Sequence, residues 1–291
     1  MTTAAETLPA RPRPGIAARA WAFVRRHALA AYSVLALTYL MLPIAVVILF
    51  SFNEPATQFN YTWQAFTFDN WVNWDSVPGI RDAVILSLEI ALISTVMATV
   101  LGTLVALGLV RHRFRARGST NLLVFLPMAT PEIVLGASLL TLFLQMRFAT
   151  GFTTIFIAHV MFIISYVVVT VKARLVGFDR HLEEAAMDLG ANEWTTFRKV
   201  TLPLIAPGIL AGALLAFALS IDDFVITNFN AGSTITFPLF IWGAARVAVP
   251  PQIYVIASMI FLFTVAMMIL TVWQQRRAEK MAAVRPEPEE A

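Results

Sequence analysis

The sequence predicts an all-α, polytopic membrane protein with six transmembrane helices. Hydrophobic residues make up 58% of the chain and charged residues only 13%, against roughly 45–50% and about 25% in soluble domains. Apolar runs recur near the roughly 20 residues that a helix needs to cross the hydrocarbon core. Lys and Arg are concentrated in alternate connections, the pattern that orients membrane proteins. The net charge of +3 therefore reads as a topology signal, not as a nucleic-acid surface. The chain has no cysteine, which excludes disulfides, thiol chemistry and thiolate metal sites.

Residues 1–28 are rich in Ala, Pro and Arg, a composition expected to be a disordered tail. The leader is too long for a signal peptide, and no small-residue cleavage site follows the apolar run. Six spans are expected at about 29–50, 83–110, 120–146, 152–172, 204–226 and 253–273. The membrane domain then covers 29–275 and a second tail 276–291. Of 21 Lys and Arg, only Arg81, Arg147 and Arg246 fall on the side opposite the termini. Both termini and the 179–203 loop are thus expected in the cytoplasm.

The outer loop after the first span holds Phe52, Phe59, Tyr61, Trp63, Phe66, Phe68, Trp71 and Trp74. It reads as an interfacial aromatic belt, or as a contact for an external binding protein. The second span carries Ser94, Ala98, Gly102 and Ala106; the fifth carries Gly208, Gly212, Ala216 and Ser220. Small residues four apart share one helix face and let backbones pack closely. The third span contains Pro127 and Pro131. Two prolines free backbone carbonyls and bend a helix, and irregular backbone at that depth must be buried in protein or line a cavity.

Four acids fall inside the expected spans: Glu89, Glu132, Asp222 and Asp223. Glu132 is placed near mid-depth and facing an interior, the others in the outer third. Burying a carboxylate there costs about 2.5–3.5 kcal/mol on insertion scales, so intramembrane acids mark pathways by default. No Lys or Arg lies well inside these spans to pair with them. Acids without bases suit a cationic small molecule, and Phe224, Phe125 and Tyr166 add ring faces for cation–π contacts. The alternatives are hydration of Asp222 and Asp223 at the outer mouth and a helix–helix hydrogen bond for Glu132. His159 reads as a packed polar residue. No metal-ligand spacing or Gly-rich phosphate loop is present, so no cofactor is expected in this chain.

The longest polar stretch between two strongly apolar ones contains Glu184-Ala185-Ala186, Gly190 and Leu202-Pro203. Asp179 is placed to cap a short helix over 180–189, with Glu183 and Glu184 near its positive end. Gly190 is suited to the left-handed turn that stops it. Asn192 is placed to cap a second helix over 193–199, and Pro203 fits the first turn of the next. Ala185 and Ala186 have no bulk, so a partner could approach that face closely.

This stretch resembles the cytoplasmic EAA loop of ATP-binding-cassette (ABC) importer permeases of type I, with Val200 where the family usually has Ile. Over residues 30–273 the chain is similar to PotC-like spermidine/putrescine permeases. That likeness rests on Pro131-Glu132-Ile133-Val134, the EAA loop, and Leu219-Ser220-Ile221-Asp222-Asp223-Phe224-Val225. The segment 66–71 also resembles the first outer loop of these permeases. The resemblance implies that Glu184, Ala185, Ala186, Gly190, Leu202 and Pro203 form a coupling helix docked on an ATPase. It implies a bacterial cytoplasmic-membrane subunit partnered by a second, homologous permease, an ATPase dimer that binds ATP and Mg, and an extracytoplasmic binding protein. Glu89, Glu132, Asp222, Asp223 and Phe224 would line the substrate pathway of an alternating-access importer, with no catalytic residue in this chain. Related branches carry iron(III), thiamine or sulfate, which stand as alternative substrates. An intramembrane enzyme would need a catalytic pair at matched depth. A stand-alone carrier would be expected to show internal repeats, and none is clear here.

Overall fold

Where water is absent, a chain must satisfy its own backbone groups, so each apolar run becomes a helix. The computed structural model describes residues 16–57, 59–112 and 114–283. In chain order the helices are α1 Ile16–Phe50, α2 Asp69–Val72, α3 Ile80–Arg111, α4 Arg117–Ala129, α5 Glu132–Gln145 and α6 Phe152–Val176. They continue as α7 His181–Asp188, α8 Glu193–Thr196, α9 Leu202–Ile221, α10 Val225–Asn230, α11 Phe237–Ala244 and α12 Pro251–Ala283. A single π-turn, Phe197–Thr201, joins α8 to α9. Five of the described helices are long and apolar enough to cross a membrane, or six if α4 and α5 count as one broken span.

Several boundaries differ from those expected. The first helix begins at Ile16, so only residues 1–15 of the expected disordered tail lie outside the described residues. The last helix continues to Ala283, beyond the expected end of the span; residues 284–291 lie outside the described residues. The third span is not one bent helix. It breaks at Thr130 and Pro131, and α4 and α5 meet at 107°. Thr130 is extended because the ring of a following proline disfavours the helical conformation. The fifth span also stops early: α9 ends at Ile221, and α10 is a separate turn and a half beyond it.

The chain divides into two compact units, 1–74 with 250–291, and 75–249. In the larger, α3, α6 and α9 pack against one another. Both small-residue stripes face this core: Ser94, Ala98, Gly102 and Ala106 are buried, as are Gly208, Gly212, Ala216 and Ser220. The approach is close. A methyl group added at Gly102 would lie 2.8 Å from Val167 Cγ1. Ala98, Ala106, Val167, Val171 and Ile205 are fully buried there. Beside this core, α5 packs on α10, with Gly136 against Phe229.

In the smaller unit α1 packs along α12. The loop after α1 has a polar core of its own. Asn53 Nδ2 donates to Asn60 Oδ1 at 2.6 Å and to the Thr62 carbonyl at 2.9 Å, and Asn53 Oδ1 accepts from the Gln64 N–H at 2.7 Å. Asn70 donates to the carbonyls of Ser51 and Asn53. Phe52 stacks on Phe66 and Trp71. The expected aromatic belt is therefore only in part a surface: Phe66 and Phe68 are exposed, but they are carried on a folded, asparagine-tied loop.

Candidate functional site

The residues singled out from the sequence fall on the segment 179–203, at the two broken spans, and, for Glu89, on α3. The first of these regions is the segment 179–203. Its first helix, α7, begins at His181, whose N–H donates to Asp179 Oδ1 at 3.0 Å. It ends in a left-handed Gly190, φ +89°. The Ala191 N–H reaches back to the Ala186 carbonyl at 3.1 Å and the Gly190 N–H to Met187 at 2.9 Å. This is the closure that a left-handed residue after a helix permits. The Asn192 side chain caps α8 by accepting from the Thr195 N–H at 2.8 Å. The second helix does not end at 199; it runs through the π-turn into α9. Pro203 is exposed in the first turn of α9 and Leu202 is half-buried.

The two neighbouring glutamates of α7 do different things. Glu183 faces inward, accepting from Arg111 at the end of α3 and from the Thr201 hydroxyl. Arg111 also reaches Thr201 Oγ1 at 3.2 Å, and Arg180 donates to the Val110 carbonyl at 3.0 Å. Glu184 faces outward, its side chain 64% exposed and paired with His181 at 3.1 Å. Ala185 is exposed beside it. Leu182, Met187, Leu189 and Trp194 are exposed on the same segment. Such a concentration of apolar side chains on a short polar loop is the usual mark of a protein contact.

The second region lies at the two broken spans. Glu132 is the first residue of α5, directly after Pro131, and is exposed on this chain. Glu89 is exposed on α3. Asp222 and Asp223 are not inside a helix; they form the break between α9 and α10. Asp222 is exposed and Asp223 is buried. Phe224 lies with its ring 5.1 Å from that of Trp242. Phe125 is exposed, and Tyr166 packs edge-on against Phe162.

The expectation that these acids are all unpaired is wrong for Asp223. Its Oδ2 accepts from the Thr227 N–H and hydroxyl, each at 2.7 Å, and stands 3.3 Å from His159 Nε2. His159, on α6, makes two further contacts: Nδ1 to Ser220 Oγ at 2.7 Å and Nε2 to Thr227 Oγ1 at 2.8 Å. All four residues are buried. His159 is a packed polar residue, as the sequence suggests, and its packing partner is one of the proposed pathway acids. Neither Arg111 nor His159 stood out in the sequence as a site residue. Arg111 was one of several cations after a span, and nothing near His159 in sequence announces its partners.

Residues 98–280 match the family described as the binding-protein-dependent transport system inner membrane component. The chain is 36% identical to the spermidine/putrescine transport system permease protein PotC of Haemophilus influenzae, across 80% of this chain and 90% of that protein. It is 38% identical to PotC of Escherichia coli K12, across 79% and 87%. The putrescine transport system permease protein PotI of the same organism is 37% identical, across 78% and 83%. Among solved structures, a bacterial ABC transporter involved in import of the acidic polysaccharide alginate shares the fold, with a TM-score of 0.65 at 14% identity, over 89% of this chain and 99% of that one. An amino acid ABC transporter crystallised with histidines matches at a TM-score of 0.55 and 18% identity, over 74% and 100%. With the EAA segment folded as a capped helix beside broken membrane spans, the chain belongs to the binding-protein-dependent transport system inner membrane components, the multi-pass permease subunits of ABC importers.

Proposed function

We propose that this permease carries a polyamine, spermidine or putrescine, across the cytoplasmic membrane by alternating access. The observation that carries this reading is the identity of 36% and 38% with permeases named for those substrates, along most of both chains. The distribution of charge supports it: Glu89, Glu132 and Asp222 are exposed acids within or at the ends of apolar helices, with no base beside them in the spans. A cation passing such groups replaces part of its hydration with carboxylate and ring contacts.

The subunit is non-catalytic; ATP and Mg are held by an ATPase partner, and a binding protein delivers the substrate. A second, homologous permease completes the pathway, with the termini and the 179–203 segment in the cytoplasm. There Glu184, Ala185 and Ala186, with Leu189 and Trp194 beside them, form the face on which the ATPase docks. Gly190 shapes the turn, and Leu202 and Pro203 pass motion into α9. Transport requires that substrate bind the outward and inward states differently, not merely tightly.

The test is reconstitution of the permease with its permease, ATPase and binding-protein partners in liposomes. ATP-dependent uptake of labelled putrescine and spermidine is expected, reduced by unlabelled polyamine and unaffected by thiamine, iron(III) or sulfate. ATP hydrolysis without polyamine uptake would retain the family and overturn the substrate.

A further inference from the structure

Two adjacent carboxylates sit at the break between α9 and α10, and they face opposite environments. Asp223 is 8% exposed, while Asp222 is exposed. Asp223 is held by Thr227 and has His159 beside it. The His159 ring stands between the last turn of α9, through Ser220, and the first turns of α10, through Thr227. It thus bridges both sides of a break in which the backbone ladder is interrupted. Ser87 and Ile90 of α3 are gathered at the same place as His159, Ser220, Asp223 and Thr227.

With Asp223 ionised, the hydrogen bonds assign the protons. The Thr227 hydroxyl has one proton and donates it to Asp223 Oδ2. It can therefore only accept from His159 Nε2, so Nε2 carries a hydrogen. In the neutral ring Nδ1 then accepts from the Ser220 hydroxyl. Asp223 receives the Thr227 N–H and hydroxyl and lies beside the Nε2–H. Oδ2 is thus held by groups of this chain, while Oδ1 accepts from the Ile226 N–H at 3.4 Å, and buried polar groups of this kind are costly to unpair.

We infer that His159 is a positioning residue that holds Asp223 in the fold and so leaves Asp222 as the carboxylate presented to the passing cation. The inference rests on the polyamine reading for the ligand, but not for the geometry. Asp223 is then a strut and Asp222 a specificity determinant, although the sequence shows them as equivalent neighbours.

Two measurements on the assembled importer test it. The chain is naturally free of cysteine, so Asp222→Cys and Asp223→Cys each introduce a unique thiol in this subunit; the partner subunits are made cysteine-free. With a small, water-soluble thiol reagent, Asp222→Cys is expected to react at least about tenfold faster than Asp223→Cys, because access controls such rates. Equal rates would overturn the division. In uptake, Asp222→Asn and His159→Leu are each expected to raise the half-saturating polyamine concentration about tenfold, and the double variant no further, because residues acting through one group are non-additive. His159→Gln, which keeps one donor and one acceptor, is expected to restore most of the loss and serves where Leu prevents insertion. A purely structural His159 would lower the amount of importer and the maximal rate, leaving half-saturation unchanged; that result, or multiplicative effects in the double variant, would overturn the proposal. If the native importer moves no polyamine, the substrate reading fails, and the labelling rates alone decide the inference.

Discussion

Arg111 at the end of α3 donates to Glu183 on α7, although the two are 72 residues apart in the chain. Thr201, the last residue of the π-turn before α9, donates to the same carboxylate oxygen. One side chain of α7 is thereby tied to the end of α3 and to the π-turn that leads into α9. Glu183→Gln keeps the shape and removes the charge, so it should weaken the tie without deleting it. Charged hydrogen bonds are worth about 1.5–3 kcal/mol when buried, and this one is partly exposed and screened, which places it lower. Uptake per ATP hydrolysed should fall severalfold, with the subunit still assembled. The exchange Arg111→Glu with Glu183→Arg should recover part of it, whereas either alone should not. Simultaneous measurement of phosphate release and uptake in liposomes reads this directly.

Glu184 is the glutamate that the sequence motif selects, and its side chain is exposed, with His181 beside it. Its substitution removes little from this chain's own stability. Glu184→Lys should leave abundance in the membrane unchanged and uncouple ATP hydrolysis from uptake. Leu189→Asp, at a side chain 90% exposed, should reduce the ATPase that co-purifies with the permease. Normal uptake in Glu184→Lys at normal abundance would show that the docking face lies elsewhere.

Two glycines should respond to substitution for different reasons. At Gly102 a Cβ would meet Val167 Cγ1 at 2.8 Å and the Ile164 carbonyl at 3.3 Å. Val167 is fully buried and stiff at χ1. Gly102→Ala should therefore destabilise the subunit by about 1–3 kcal/mol, as overpacking does, seen as a lower melting temperature in detergent. At Gly190 there is open space, but φ is +89°. Gly190→Val should cost about 1–2 kcal/mol through backbone strain and reduce coupling. Gly190→Asn, a residue that tolerates the left-handed region, should retain more activity.

The parts that were legible in the sequence depend on neighbours in sequence. Asn192 and Gly190 act on backbone groups a few residues away, so cap and turn chemistry announces them. The stripes Ser94 to Ala106 and Gly208 to Ser220 are legible because helical spacing alone puts them on one face. The ends of the broken spans were harder. Hydropathy resumes at Phe224, Val225 and Ile226 after Asp222 and Asp223, so the two acids read as charges within one continuous span and not as the point where α9 stops at Ile221. Thr130 did carry a mark, since it precedes Pro131, but a kink and a 107° break share that signature. The Asp223–His159 contact depends on how α6 approaches the end of α9, which no local pattern encodes.

Glu132 provides the sharpest test of the pathway. Pro131 ends one helix direction and Glu132 begins another, so the carboxylate sits at the amino-terminal end of α5. The peptide dipoles there favour a negative charge by about 0.3–1 kcal/mol at exposed sites, which offsets part of the cost of an acid at membrane depth. The position therefore tolerates a charge that the fold does not need: Glu132 is exposed on this chain, and none of the ion pairs among the described residues includes it. Glu132→Gln keeps the shape and the start of the helix. Polyamine uptake at low concentration should fall about tenfold, the scale of one lost favourable contact, while basal ATP hydrolysis and membrane abundance stay near their native values. Equal loss of uptake and hydrolysis would assign Glu132 to the fold instead, and would shift the search for the cation contact to Glu89, an exposed acid on the spanning helix α3.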